Sequence, residues 1–152
     1  MLALTILQDW LDEVSDKVMS GDEAGFVSSF ALPLTVRADA GDSHMTRPED
    51  LQAKFRAWRQ TIEQMRVIEL CRTARRAEFV EVDRIAGLYE TLMLTDRGPA
   101  MDRFNSSIAL TRTLNGDWIC TDITTGLAAV EKHLYYTSPR ADDAGTDRKD
   151  ET

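Results

Sequence analysis

The stretch SGDEAGFVSSFALPLTV, residues 20–36, sets the order of the first elements of the fold. Gly21 suits the left-handed residue that ends a helix, and Asp22 is a good N-cap for the next one. That second helix must be short, because Pro33 cannot continue it. It would carry the apolar residues Phe26, Val27 and Phe30. Since Leu34 to Val36 has the composition of a strand, the segment predicts a helix, a short helix and a strand in close succession.

Longer amphipathic helices are predicted on both sides of this segment. The stripe of the first helix, at three- and four-residue spacing, is made of Ile6, Leu7, Trp10, Leu11, Val14 and Val18. After the strand, ADAGDS (residues 38–43) predicts a turn. TRPE (residues 46–49) then predicts a capping box with proline in the first helical turn. The stripe of the helix that follows is made of Leu51, Phe55, Trp58, Ile62 and Met65.

From Val67 to Ile123 the composition is typical of strands. Runs rich in apolar and β-branched residues cover 67–80, 84–95, 101–113 and 117–123, and the turn signals EVD, DRGP and LNGD separate them. Helices come first and strands last. This segregation indicates an α+β protein, with an antiparallel sheet of neighbouring strands and the helices on one of its faces.

The length of 152 residues favours a single domain. We place that domain at residues 1–136, where residues 124–136 could form a closing helix. Residues 137–152 are polar and charged, without apolar spacing. They are predicted to form a disordered acidic tail.

Composition excludes several classes of function. A net charge of −8 opposes binding to nucleic acid or to an anionic membrane. Acidic residues interrupt the apolar N-terminal segment and no basic region precedes it, so we expect a cytoplasmic protein without a signal peptide or membrane span. Cys71 and Cys120 lack the spacing of a metal site and are expected to be buried free thiols, with a disulfide as the alternative. No metal and no cofactor are expected.

The order of these elements, and the turns and helix ends between them, resemble those of the nuclear transport factor 2-like superfamily. The resemblance covers residues 4–123 and rests on the helix ending in SGD, the segment FVSSFALP, the strand PLTVRADAG, the helix TRPEDLQAKFRAW and the strands ending in LTRTLNGDWIC. It implies a cone-like, curved antiparallel or mixed β-sheet with about three N-terminal helices on its concave face. The superfamily includes ketosteroid isomerases, polyketide cyclases, ligand binders and transport factors, so the fold alone does not fix the chemistry.

Ketosteroid isomerases have the best-defined active site of this group, and their residues can be placed on the sequence. Aligned on the Gly-Asp after the first helix, their oxyanion-binding tyrosine falls on Val14, and the protonated aspartate that shares its role falls on Ala109 or one place to either side. The general-base aspartate falls near Ala38, next to Asp39. Without donors for the enolate oxygen, an isomerase would lose several kcal/mol of transition-state stabilisation. Steroid isomerase activity is therefore rejected as the primary interpretation.

Other chemistries of the fold need a polar group inside the cone, and each candidate has two interpretations. Asp39 could be a general base at the mouth of the cone or part of an ordinary turn, and His44 could be an acid or base there or a solvated loop residue. Arg72 could face inward, with a partner such as Asp39, or outward. Tyr89 could orient a ligand or only pack in the core.

Residues 104–111 alternate between two sets, made of Phe104, Ser106, Ile108 and Leu110 on one side and Asn105, Ser107, Ala109 and Thr111 on the other. We expect the apolar set to face the helices. The small polar set would then lie on the outer face, where it favours a homodimer. If Ala109 points inward instead, Asn105 and Ser107 become ligand-contacting donors.

Two functions remain open. The first is a small-molecule-binding domain with a largely apolar pocket for a small hydrophobic ligand. Its candidate ligand-binding residues are Val14, Arg72, Tyr89, Asn105 and Ser107. The alternative is an enzyme of the isomerase, dehydratase or cyclase type that uses Asp39 or His44 for proton transfer. A third hypothesis, an interaction module that works through the outer face of the sheet, has less support.

Overall fold

The first two helices end and begin where the sequence predicts. In the computed structural model, which describes residues 2–38 and 41–126, helix α1 spans Ala3–Ser20 and helix α2 spans Glu23–Ser28. Gly21 closes α1 with a φ of 81°, in the left-handed region that favours glycine. The Asp22 carboxylate accepts a hydrogen bond of 2.9 Å from the backbone N–H of Gly25 and so caps α2. Both predicted cap residues are confirmed.

The chain enters the sheet earlier than predicted. Phe30 is the first residue of strand β1 (Phe30–Arg37) rather than the last residue of α2. It pairs with Cys120, whose backbone N–H donates to the carbonyl oxygen of Ser29 at 2.9 Å. Pro33 therefore lies inside a strand. It is tolerated there because the pairing of β1 is irregular between Phe30 and Thr35, where a missing N–H breaks no regular ladder bond.

Part of the predicted turn is a short strand, and the third helix begins with a different cap. Strand β2 (Ser43–Met45) pairs antiparallel with β1. Helix α3 spans Pro48–Met65. At its start the Asp50 carboxylate accepts hydrogen bonds from the backbone N–H groups of Thr46 and Arg47, so Asp50 closes the capping box in place of Glu49. These backbone hydrogen bonds, that of Thr46 above all, lower the pKa of Asp50.

Within residues 2–38 and 41–126, the remaining strands complete a mixed sheet of seven strands that does not close into a barrel. They are β3 (Glu69–Glu81), β4 (Arg84–Thr95), β5 (Gly98–Pro99), β6 (Phe104–Arg112) and β7 (Trp118–Thr125). The strand order is β2-β1-β7-β6-β4-β3, and β5 pairs with β4. All pairs are antiparallel except β1 with β7, which are parallel. The fold is therefore α+β, as predicted, with the sheet in its mixed form.

The helices cover one face of the sheet, which we call the inner face. Helix α1 packs on β3 and β4, α2 on β1, and α3 on β2. At Gly87 of β4 the approach is very close, because a Cβ there would lie 2.6 Å from Leu7 Cδ2 and 2.9 Å from the carbonyl oxygen of Arg76. Only glycine leaves room for α1 at this distance.

A second contact fixes α1 against β3, the last strand on its side of the sheet. The side-chain amide of Gln8 donates to the carbonyl oxygen of Arg72 at 2.8 Å and accepts from the backbone N–H of Ala74 at 2.8 Å. The amide thus pairs with the free edge of β3 as another strand would.

The hydrophobic core lies between the helices and the inner face. Its fully buried side chains include Leu7, Leu11, Val14, Val18, Leu34, Met45, Leu51, Ile85, Met93 and Leu110. None of the described helices is long and apolar enough to cross a membrane. Asp39, the predicted closing segment beyond Gly126 and the predicted tail lie outside the described residues.

Candidate functional site

A small cavity of about 30 Å³ lies inside the cone, between the three helices and the inner face of the sheet. This volume holds about two water molecules. Most of its wall is apolar and aromatic, and the lining residues are Trp10, Val14, Phe26, Phe30, Leu34, Val36, Met45, Leu51, Lys54, Trp58, Arg72, Tyr89 and Ile123. The lining residues that the structure describes include two basic side chains and no carboxylate.

Lys54 is one of the two basic side chains. It lies on α3 with 4% of its surface exposed. Leu51 and Trp58, which precede and follow it by three and four residues, line the same cavity, since this spacing places all three on one helical face. Burial lowers the pKa of Lys54 from 10.5 to about 7, because the charged ammonium group loses its hydration.

Arg72 is the second basic side chain, and it faces inward. On β3 it lies between Leu70 and Ala74, which face the core, so strand alternation directs it to the same side. Its guanidinium carbon lies 5.1 Å from the centre of the Trp58 ring, in a cation–π contact. Its Nε atom is buried and has no hydrogen-bond partner among the described residues.

Two more buried polar atoms near Arg72 lack a partner in the described part of the chain. Thr91 is directly opposite Arg72 on β4, and its Oγ1 atom has no hydrogen bond. Trp10 lines the cavity, and its Nε1 atom has none either. Because buried polar groups in proteins almost always have partners, the Arg72 and Trp10 atoms on the cavity wall are suited to a ligand or to ordered water, and both are donors. Thr91 is not among the residues that line the cavity.

The other predicted inward residues also line the cavity. Tyr89 and Val14 are 3% and 2% exposed, and both contribute to its wall. The aromatic part of the wall is continuous, because Phe30 contacts both Trp10 and Phe26, with ring centres 5.6 Å and 4.8 Å apart.

The remaining site candidates are not at the cavity. His44 is exposed on β2, where its Nδ1 atom lies 3.1 Å from Thr35 Oγ1, while its neighbours Ser43 and Met45 face inward. Asn105 and Ser107 lie on the outer face, because they alternate with Phe104, Ser106 and Ile108, which are buried on the inner face. Strand alternation therefore separates these three candidates from Arg72 and Tyr89.

Neither cysteine has the character of a reactive thiol. Cys120 is fully buried, and burial raises its pKa strongly. Burial also raises the pKa of Cys71, which is part of β3. Both are free thiols, as the sequence predicts, but only Cys120 is buried as expected, whereas Cys71 is partly exposed. The described residues contain no group of three or more His, Cys, Asp or Glu side chains that could hold a metal ion.

A larger, open groove of about 990 Å³ lies beside the cavity. Residues of α1, the end of α2, the β3–β4 hairpin and the β6–β7 hairpin line it, among them Asp9, Lys17, Phe79 and Trp118. Trp10 is part of the wall of both the groove and the cavity, so its ring lies between them. The cavity is the better candidate site, because it brings together buried polar atoms without partners and the buried Lys54.

No protein-family model matches the chain, and no curated protein matches its sequence. Solved structures do match it. A nuclear transport factor 2-like protein of unknown function from Shewanella oneidensis has a TM-score of 0.62 and 10% identity, with 81% of this chain and 98% of that chain covered. A protein from Catenulispora acidiphila in complex with S-DNPA has a TM-score of 0.60 and 12% identity, with 80% and 90% covered. A ketosteroid isomerase-like protein from Erwinia carotovora has a TM-score of 0.54 and 7% identity, with 81% and 94% covered.

The chain has the nuclear transport factor 2-like fold. The positions on which the alignment of the sequence places the isomerase donors carry no polar side chain in this structure. Val14 lines the cavity, Ala109 lies on the outer face, and its neighbours Ile108 and Leu110 face inward but are apolar.

Lys54 is not among the site residues that the sequence predicts for this nuclear transport factor 2-like fold. The signal was available, because Lys54 falls inside the apolar stripe between Leu51 and Trp58. A lysine within an apolar stripe usually extends its amine to the helix flank, so the pattern alone does not distinguish that arrangement from burial.

Proposed function

We propose that this chain is a small-molecule-binding domain whose cavity takes a small carboxylic acid with a short apolar body. The observation that carries the proposal is the presence of Lys54 and Arg72 in one cavity that is otherwise apolar. A carboxylate would accept hydrogen bonds from both side chains, and charge-assisted hydrogen bonds are about twice as strong as neutral ones. The apolar walls would exclude water and strengthen these contacts.

The partnerless atoms near Arg72 support an oxygen-rich ligand group. A carboxylate has about four lone-pair sites. The buried Arg72 Nε and Trp10 Nε1 atoms donate only, and they need an acceptor that the described residues do not provide. A ligand in complex with the related Catenulispora acidiphila protein is consistent with a binding role for the fold.

The size of the cavity limits the ligand. At about 30 Å³ the interior has room for only a few atoms unless side chains move. Small acids such as acetate, propanoate and butanoate therefore form a natural test series, and each has a neutral amide of nearly the same shape.

Calorimetric titration of these acids and amides tests the proposal. We expect the acids to bind and the amides to bind at least tenfold more weakly. Arg72→Met is expected to weaken binding by tenfold or more, at least about 1.4 kcal/mol, because one partner of a buried charge pair is lost. The matched control is Arg76→Met, which removes an exposed arginine from the same strand and should leave binding unchanged.

Proton uptake gives an independent readout. A bound carboxylate favours the charged form of Lys54, so binding must raise its pKa above about 7. At pH 8 the protein should therefore take up a proton when an acid binds, and titrations in buffers of different ionisation enthalpy measure this directly. Equal binding of acids and amides, or binding of acids without proton uptake, would contradict the proposal.

The alternative enzyme hypothesis gains no support from His44, because its side chain is exposed and paired with Thr35. We therefore place binding ahead of proton-transfer catalysis by Asp39 or His44.

We also propose that the protein is a homodimer through the outer face of the sheet. On β4 and β6 this face carries the uncharged residues Ala86, Leu88, Ser107 and Ala109, with Glu90 and Asp122 beside them, and Leu88 is 40% exposed. A two-fold axis there would bury these small residues against themselves. Sedimentation should give twice the monomer mass of 17.1 kDa, and Leu88→Arg should give the monomer. A wild-type monomer at micromolar concentration would refute this arrangement.

A further inference from the structure

Lys54 differs from the other lysine that the structure describes. The chain has four lysines, Lys17, Lys54, Lys132 and Lys149, of which Lys17 and Lys54 lie in the described residues. Lys17 is partly exposed at the open groove, and its amine donates to Ser29 Oγ. Lys54 is buried on the wall of the cavity.

The surroundings of Lys54 are those of a nucleophilic amine. A lysine attacks carbonyl carbon only in its neutral form, and proteins obtain that form by desolvation in an apolar pocket or by a second cation nearby. Here burial removes the amine from water, aromatic rings form much of the wall, and Arg72 lines the same cavity. Because burial lowers the pKa of Lys54 to about 7, a substantial fraction of its amines is neutral at pH 7.

The charged and titratable groups that face Lys54 come from two strands. Among the described lining residues they are Arg72 of β3 and Tyr89 of β4. A cation in the same cavity, such as Arg72, opposes protonation of the amine.

We infer that Lys54 forms a reversible imine with small carbonyl compounds, and most readily with oxo acids whose carboxylate is bound by Arg72. The preference for oxo acids rests on the proposed function, whereas the reactivity of the amine does not. The nitrogen lone pair adds to the carbonyl carbon, and a proton passes from nitrogen to the former carbonyl oxygen to give a carbinolamine. That hydroxyl then leaves as water with the second nitrogen proton, and the C=N bond forms. One amine and one carbonyl give one imine and one water, without an oxidant or reductant.

Reductive trapping of the full chain tests this inference. Glyoxylate, a small oxo acid, is incubated with the protein and sodium cyanoborohydride at pH 7, where hydride reduces the imine to a stable secondary amine. Peptide mass spectrometry then measures labelling at Lys54 and Lys17 in the same sample. We expect Lys54 to be labelled at least tenfold faster than Lys17. This internal comparison needs no variant and does not depend on whether a substituted chain folds.

Variants and a second probe separate the inference from the proposed function. Lys54→Arg keeps a cation but cannot form the imine, so labelling at position 54 should disappear, whereas Lys17→Arg should leave labelling of Lys54 unchanged. Propanal carries no carboxylate. It should label Lys54 selectively but more slowly than glyoxylate.

The outcomes are distinguishable. Equal rates for propanal and glyoxylate would overturn the role of Arg72 and with it the preference for oxo acids, while the imine at Lys54 would stand. Labelling of Lys54 no faster than that of Lys17 with both probes would overturn the inference, whatever the calorimetric titrations show for acid binding.

Discussion

Replacement of Lys54 by methionine is expected to stabilise the protein at neutral and acidic pH. Methionine has a similar length and no charge to desolvate. Each tenfold change in proton affinity is worth about 1.4 kcal/mol. A pKa lowered from 10.5 to about 7 therefore costs the folded state about 4 to 5 kcal/mol when the amine is protonated in both states. This is a large share of the usual net stability of a domain, about 5 to 15 kcal/mol.

The pH dependence of this cost has a definite sign. Between pH 7 and about 10.5 the unfolded chain binds a proton at Lys54 that the folded chain does not, so the free energy of unfolding rises with pH in this window. Below pH 7 the full penalty is present, and above about pH 10.5 it is gone. Lys54→Met removes the penalty, so its advantage over wild type should be largest near pH 6 and should shrink as pH rises.

Urea denaturation of wild type and Lys54→Met between pH 6 and pH 10 measures this difference. The difference between the two proteins isolates the contribution of position 54, because all other titrating groups are shared. Lys17→Met is the matched control, since it removes a partly exposed amine with one hydrogen bond and should cost about 1 kcal/mol or less. If Lys54→Met is no more stable than wild type at pH 6, a favourable contact holds the ammonium group, and the argument from its desolvation fails.

Three further predictions concern the fold around the cavity. Gly87→Ala should lower the free energy of unfolding by about 1 to 3 kcal/mol in thermal denaturation, because its Cβ would overlap Leu7 and the Arg76 carbonyl. A decrease below about 0.5 kcal/mol would show that α1 can shift. Gln8→Ala should cost about 1 to 3 kcal/mol because it removes both hydrogen bonds to the edge of β3, and Gln8→Glu, which keeps only the acceptor, should fall between it and wild type. Asp50→Ala should cost about 0.5 to 2 kcal/mol at pH 7. Because the folded-state pKa of Asp50 is lowered, this cost should fall progressively as pH drops below about 4. A cost at pH 3 equal to that at pH 7 would contradict the cap.

The sequence predicts the elements of this fold well where local chemistry decides. Gly21 and Asp22 mark the end of α1 and the start of α2, and the alternation of apolar residues predicts the long strands. Prediction from the sequence fails where the structure of a segment depends on pairing with a strand distant in the chain. Phe30 belongs to a strand because it meets Cys120 far along the chain, and no local pattern carries that information.

The candidate site could be predicted only in part, because alternation shows which residues share a face but not which face is the inner one. The sequence predicts Arg72, Tyr89, Asn105 and Ser107 equally as ligand-binding residues. In the structure Tyr89 pairs with Ser106 on the inner face, so Arg72 and Tyr89 line the cavity, whereas Asn105 and Ser107 lie on the outer face. Burial of Lys54 depends on how α3 sits over the sheet. That position follows from the packing of the whole core.

The parallel pairing of β1 with β7 makes the start and the end of the described chain depend on each other. Strands β1 and β2 contact the rest of the sheet only through β7, so a chain released before residue 118 would hold them as an isolated two-stranded ribbon, which is marginal in water. During synthesis, the part of the cavity wall that contains Leu34 and Val36 cannot form until Ile123 has been added to the chain. Pairing over such a sequence distance slows folding. A ribosome that stalls in the β6–β7 hairpin would therefore carry a chain with an open cone, in which Lys54 is not yet enclosed.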